Sequence, residues 1–314
     1  MPEFLTLLPP AEALARLLAH LEPAGHIEQV PTAQALGRVT AGPVQAQVPL
    51  PEFARSTVDG YAIRAADTHG ASEALPAYLE MVGEIPMGAA AHLSLHPAQC
   101  ALIHTGGMLP AGADAVVMVE HTQPARLGEI EVLKSLAVGE NLIQVGEDVQ
   151  VGQEVIPAGT RLRPAEIGGL MALGQTSVAV AVRPLVGIIS SGDEVVPPEQ
   201  EPQPGQVRDV NAFTLAAVVA QAGGQSRQYG IVPDIRSAMV QAVQKAHAEC
   251  DLVVVTAGSS ASTRDLTAEI FAELGQPGVL VHGINTRPGK PTILAVSAGK
   301  ALIGLPGNPV SALV

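Results

Sequence analysis

The sequence predicts a multidomain α/β plus β protein: a doubly wound α/β domain, a β-rich inserted domain and a linking domain. Three observations carry that expectation. After Pro184, apolar strand-like runs alternate with segments of helical period, the pattern of βαβ units and a parallel sheet. Between Ile27 and Pro184, strand candidates are short and broken by proline and glycine. The chain also holds 32 glycines and 26 prolines in 314 residues, so tight turns are expected throughout.

The elements follow in order. Residues 10–21 place Leu14, Leu17, Leu18 and Leu21 on one face of an amphipathic helix that opens near Pro10. Residues 27–48, and again 139–182, carry irregular β-like texture, so 1–48 and 139–182 are expected to form one discontinuous linking domain. Residues 49–138 make the inserted domain, with strand candidates at 62–64, 100–104 and 115–120. Residues 183–314 make the α/β domain. Its strands are expected at 185–190, near Arg227, and at 252–256, 279–282, 292–296 and 302–304; its helices are expected at 211–222, from Asp234 to 248, from Asp265 to 274, and from Asn308 onward. A parallel sheet of this kind places ligands at the carboxyl ends of its strands. The sequence stops at Val314, one turn into the last helix, so a longer natural chain is expected.

Composition removes several classes of function. With 47% apolar and 15% charged residues the chain has material for a sizeable core, which must be aliphatic because tryptophan is absent and aromatic residues make up 2%. A formal charge of −13 and no basic stripe argue against nucleic acid as a partner. Cys100 and Cys250 lie far apart in apolar surroundings without a C-x-x-C pattern, which fits reduced, buried thiols. No leader-like basic and apolar run and no membrane-length apolar stretch is present, so a cytoplasmic protein without a membrane partner is expected.

Chemistry gathers at the expected strand ends. Asp193 and Glu194 follow Gly192 in a Ser-Ser-Gly-Asp-Glu run, while Asp234 and Asp265 are read as opening helices on the same rim. An aspartate at a helix start is commonplace; acidic residues at three places on one rim with Lys290, the Asp193-Glu194 pair, Asp234 and Asp265, suit Mg²⁺, which takes one or two carboxylates with substrate phosphates. The run 256–262 joins a buried strand to a helix, and the backbone amides around Gly258, Ser259 and Ser260 are expected to cradle phosphate. Near the end of the chain, Arg287-Pro288-Gly289-Lys290-Pro291 holds one lysine in a rigid turn, and Asn308 reads as the N-cap of a helix with Pro309 at its first position. Free amides at that helix start would face an anion.

Asp59-Gly60 is by default a hairpin turn, although Phe53 and Tyr61, two of few aromatic residues, sit close to it. His104 and His121 read as satisfied strand or loop residues rather than metal ligands. The P-loop, GxGxxG, HExxH and GxSxG patterns are all missing.

Taken together, Asp59-Gly60-Tyr61-Ala62, Thr105-Gly106-Gly107 with the following 109–116, Gly146-Glu147-Asp148, Gly192-Asp193-Glu194, Pro288-Gly289-Lys290-Pro291 and the run 304–311 resemble the molybdopterin molybdenumtransferase family of MoeA and the gephyrin E domain. The resemblance runs from the first helix to the last residue. It implies a homodimer that takes adenylylated molybdopterin and molybdate, inserts the metal into the pterin dithiolene and releases AMP with Mg²⁺ as cofactor. By the same resemblance Asp234 and Asp265 hold Mg²⁺, and Lys290, Pro291 and Ser311 lie close to molybdate and phosphate. Asp59, Thr105, Asp148, Glu194 and Lys290 are the expected catalytic positions. Gly192, Gly258, Ser259, Ser260, Arg287, Pro291, Pro306, Asn308 and Ser311 are the expected pterin-nucleotide contacts. Members of the family also carry a C-terminal β-domain.

Two positions depart from the family pattern. The loop 258–263 lacks its usual glycines, and Arg287 stands where lysine is common, which keeps the charge but changes its hydrogen-bond shape. Two other readings stay open: molybdopterin adenylyltransferase, which has no use for the Asp59 loop or residues 100–120, and a non-catalytic molybdopterin or molybdate scaffold or sensor.

Overall fold

The computed structural model describes residues 7–22, 25–257 and 261–313, at 257 and 261–265 as backbone alone. The chain divides into two compact units, one of Met1–Glu28 with Val180–Val314 and one of Gln29–Ala179.

The first unit is a six-stranded sheet with helices on both faces. Its strands lie in the order Gln225–Val232, Leu185–Ser191, Leu252–Ala257, Lys300–Pro306, Ile293–Ser297, Pro277–His282. In Leu252–Ala257, Val253 and Val255 pack with Met239, Val243 and Phe271 of the helices Arg236–Glu249 and Ala261–Glu273. Val254 turns to the other face, against Ala212 and Leu215 of the helix Asn211–Ala222. That alternation, with apolar residues on both faces, is why the strand reads as a continuous Val run.

The first four strands of that order are mutually parallel. Ile293–Ser297 is antiparallel to both of its neighbours, so the sheet is mixed rather than wholly parallel. The reason is local. Only Ala298 and Gly299 join Ile293–Ser297 to Lys300–Pro306, and both have positive φ, 50° and 72°. Two such residues form the primed turn that suits a hairpin, whereas a parallel crossover needs a dozen or more residues.

The helix Pro10–Leu18 stops three residues short of its expected end. It buries Ala13 and Leu17 against Val281, Leu294 and Val296, while Leu14 and Leu18 stay exposed, so the expected all-leucine face is not the one that packs. Asn211–Ala222 has the expected bounds and closes at Gly223 in the left-handed region. Two helix starts differ from expectation. Ile235 N donates to Pro233 O at 2.6 Å, a tight turn that delays the helix to Arg236 and leaves Asp234 before it. The next helix begins at Ala261, so Asp265 falls inside it rather than at its start; the Ala-Ser-Thr-Arg run costs little in a helix although it reads as loop.

The second unit carries its own six-stranded sheet, in the order Ala115–Met118, Gly60–Ile63, Gln99–Ile103, Ala77–Glu84, Glu129–Val132, Thr122–Pro124. All pairs are antiparallel except Ala77–Glu84 with Gln99–Ile103. One face buries Ile63, Leu79, Cys100 and Val117, the other Ala62, Ile85, Ala101 and Val116. Asp59-Gly60 is not a hairpin turn. Gly60 opens a strand, and a Cβ there would lie 1.9 Å from Val117 O, so only glycine lets the two backbones meet.

Within the stretch expected to be irregular β, Pro164–Ala172 is a helix. Pro164 opens it, Glu166 Oε2 accepts from Arg163 N at 2.8 Å, and Gly174 with φ 70° follows its end. The tandem Gly168-Gly169 lowers its propensity and hides it from a periodicity reading. Both cysteines are free and buried, as expected.

Candidate active-site cleft

The register of the first unit aligns the carboxyl ends of three parallel strands: Ser190 pairs with Thr256, and Thr256 with Leu305. A cleft of about 440 Å³ opens there, lined among others by Ser190, Ser191, Glu194, Asn211, Thr256 and Asn308. A short parallel pair, Val195–Val196 with Val207–Arg208, builds one wall and places Glu194, Arg208 and Asp209 on it. Asp209 Oδ1 accepts from Ala212 N at 3.1 Å, and Asn211 Nδ2 donates to Gly307 O at 2.8 Å. The helix Asn211–Ala222 is thereby held to the turn that precedes Asn308.

Three buried side-chain oxygens of this cleft, Ser190 Oγ, Ser191 Oγ and Asn211 Oδ1, have no hydrogen-bond partner among the described residues. Their residues are 2, 3 and 7% exposed. Buried polar groups are nearly always paired, and each unpaired one costs about 1–3 kcal/mol. Three in one cleft mark a surface built for a polar ligand.

Gly192 sets the position of Glu194. With φ 136° it lies in the region that favours glycine, and a Cβ would come within 2.6 Å of Glu194 Oε2. Asp193 lies beside Asp234, whose N–H donates to Asp193 Oδ1 at 3.2 Å. Among the described residues no three His, Cys, Asp or Glu gather as a metal cluster. A pair of carboxylate residues still fits Mg²⁺, which fills its remaining positions from phosphate and water. Gly258, Ser259, Ser260 and the side chain of Asp265 lie outside the described residues.

The Lys290 turn reaches the same helix start from another side. Thr292 Oγ1 donates to Gly289 O at 2.8 Å and Ile284 N to Lys290 O at 2.9 Å, closing the turn. Gly289 has φ 106°, and its Cβ position lies 3.3 Å from Ser311 O. Lys290 and Arg287 are exposed; neither they nor Pro291 line the cleft. Pro306 ends its strand buried, and Asn308 and Pro309 line the cleft. Asn308 is the cap the sequence predicts, but Val310 N and Ser311 N both donate to its Oδ1, at 3.1 and 3.3 Å. The amides expected to be free for an anion are engaged by the cap itself, and Pro309 has no N–H.

In the second unit Asp59 Oδ1 accepts from Thr105 N at 2.8 Å and Thr105 Oγ1 at 3.1 Å. These bonds, the backbone one foremost and aided by nearby His104, hold the Asp59 carboxyl below its ordinary range. Asp148 lies in a turn where its N–H donates to Leu50 O at 3.0 Å. It makes no hydrogen bond to Asp59 or Thr105 among the described residues. Sequence reading passed over Asn211, Arg208, Asp209 and the two serines as site residues. The available signal was a polar Arg-Asp-x-Asn run immediately before a helix.

Comparison with known proteins places the chain in a family. Residues 8–174 match the profile described as the MoeA N-terminal region (domain I and II), and residues 187–314 match a probable molybdopterin binding domain. Together the matches define a protein of molybdenum cofactor biosynthesis with a molybdopterin-binding α/β fold. Similar curated proteins include the molybdopterin molybdenumtransferases of Nostoc sp., 36% identical over 97% of this chain and 70% of that protein, and of Bacillus subtilis, 34% identical over 97% and 71%. The crystal structure of the molybdopterin biosynthesis moeA protein from Pyrococcus horikoshii superposes with a TM-score of 0.86 at 34% identity, covering 98% of this chain and 76% of the other. The chain belongs to the molybdopterin molybdenumtransferase family, and its class is transferase.

Proposed function

We propose that the cleft binds adenylylated molybdopterin, and that molybdate enters the dithiolene as the adenylyl group leaves as AMP. The observation that carries this reading is the set of unpaired buried oxygens at Ser190, Ser191 and Asn211, within the region that matches a molybdopterin binding domain. A pterin edge offers donors and acceptors to such groups, and Arg208 on the cleft wall is a cation for phosphate. Lys290, exposed on a closed turn beside Ser311, neutralises charge that develops on phosphate or molybdate oxygens. Asp234 and Asp265, with Asp193 beside the first, hold Mg²⁺. When bound, that ion supplies electrostatic stabilisation of the phosphoanhydride.

Asp59, Thr105 and Asp148 belong to the other unit of the chain, and a homodimer lets one subunit complete the cleft of its partner. The setting is cytoplasmic, and no helix among the described residues is long and apolar enough to cross a membrane. The deciding experiment is incubation with adenylylated molybdopterin, Mg²⁺ and molybdate, measuring AMP release. Absence of AMP and of inserted molybdenum sinks the reading. Mixed Asp59→Asn and Lys290→Ala proteins regain activity if subunits exchange, and a strictly monomeric mass with full activity refutes the dimer.

A further inference from the structure

His104 stands between two carboxylates in the second unit. The strand register explains why. Gly60 pairs with Ile103 in the antiparallel ladder, so Asp59 falls opposite His104 one step further on. Glu84 pairs with Leu102 in the neighbouring parallel ladder, two residues before His104 and on the same face. His104 Nε2 lies 3.1 Å from Glu84 Oε1, and Nδ1 lies 3.8 Å from Asp59 Oδ1. A carboxylate only accepts, so Nε2 carries a proton toward Glu84. Protonation then adds an N–H at Nδ1 facing Asp59, whereas loss of that proton turns a lone pair toward the same oxygen.

Among the described residues the charged groups that pair with the imidazole are Asp59 and Glu84. Glu120 and His121, on the turn Val119–His121 beyond Asp59, make no hydrogen bond or ion pair with the three. Among the described residues no lysine or arginine pairs with any of them. Thr105 holds Asp59 Oδ1 by two hydrogen bonds, and Asp59 Oδ2 has no partner among the described residues.

We propose that His104 is a positioning residue for Asp59, oriented by Glu84, which couples the charge and placement of the Asp59 carboxylate to protonation of the imidazole. The inference rests on the proposed function only for its kinetic arm. The test begins with an NMR titration of the His104 imidazole in wild type, Glu84→Gln and Asp59→Asn, with thermal melts to establish folding. Each substitution removes a negative charge beside the imidazole, so the midpoint falls by about 0.3 pH units or more. If Asp59→Asn does not fold, Glu84→Gln carries this arm.

In AMP release, His104→Gln lowers kcat about three- to tenfold with KM within about twofold, and flattens the pH profile of the reaction. The Glu84→Gln/His104→Gln double variant is no slower than His104→Gln alone, because Glu84 acts through the histidine. Unmoved midpoints, or rate losses that multiply in the double variant, overturn the proposal. Should wild type release no AMP, the proposed function falls, while the titration still decides the coupling.

Discussion

The side-chain amide of Asn211 donates to the carbonyl of Gly307 at 2.8 Å, tying a helix start to the turn before Asn308 across the cleft. Asn211 Oδ1 is left buried and unpaired among the described residues. Replacing Asn211 by alanine removes that tie together with the ligand contact proposed for Oδ1. Stability is expected to fall by about 1–2 kcal/mol in chemical denaturation, and molybdopterin affinity about tenfold in calorimetric titration. An unchanged affinity would remove Asn211 from the site.

Gly192→Ala tests the placement of Glu194. The added methyl meets Glu194 Oε2 at 2.6 Å, a flexible side-chain end that gives way, so the fold survives with a loss of about 1–2 kcal/mol for φ 136°. Glu194 is displaced, and AMP release drops at least about tenfold. Full activity with a lowered melting temperature would show that Glu194 has no part in turnover.

The magnesium ion proposed above is tested at Asp234, whose backbone N–H donates to Asp193 Oδ1. Excess chelator is expected to abolish AMP release, and Asp234→Asn to weaken Mg²⁺ binding about tenfold by calorimetry while moving the melting temperature by less than about 2 °C. AMP release undiminished by chelator refutes the metal assignment.

The two thiols are expected to be inert in the native protein. Burial, with a smaller push from Glu80, drives the Cys100 thiol up to about 12, and Cys250 is 2% exposed. At pH 8 about one Cys100 in ten thousand is then thiolate, the reactive form. Labelling with a disulfide reagent should run at least about a hundredfold slower than in denaturant, where both thiols react. Fast native labelling would contradict the packing around Cys100.

Glu166 should make the second unit acid-sensitive. Hydrogen bonds from the Arg163 side chain, then from its backbone N–H, pull the Glu166 carboxyl down to about 2 from 4.5. A depressed carboxyl stabilises the fold fully above its unfolded value, and that contribution disappears as pH falls from about 4.5 to about 2. Glu166→Gln therefore melts lower than wild type at pH 7, and the gap closes toward pH 2. A gap independent of pH would assign the loss to packing instead.

Much of the fold was legible in local pattern. The Val run at 253–255 and the Asn211–Ala222 helix follow from short-range period and capping alone. The hairpin at Ala298-Gly299 was missed, because the alternation of strands and helices was read as a parallel sheet throughout. The helix Pro164–Ala172 was masked by Gly168-Gly169, because its stability comes from burying Leu170 rather than from propensity.

By itself the sequence determined the family motifs, the acidic rim at Asp193 and Asp234, the Lys290 turn and the Asn308 cap, all set by residues within a few positions of one another. Tertiary structure decided what those motifs meet. Strand register brings Ser190 to Thr256 and Thr256 to Leu305, and sets Asp59 and Glu84 on either side of His104. The capping bonds of Asn308, in turn, take up amides that the sequence alone left open to an anion. The physical reason is range: capping and periodicity act within one or two turns of chain, whereas register and the pairing of buried polar atoms depend on partners tens of residues away.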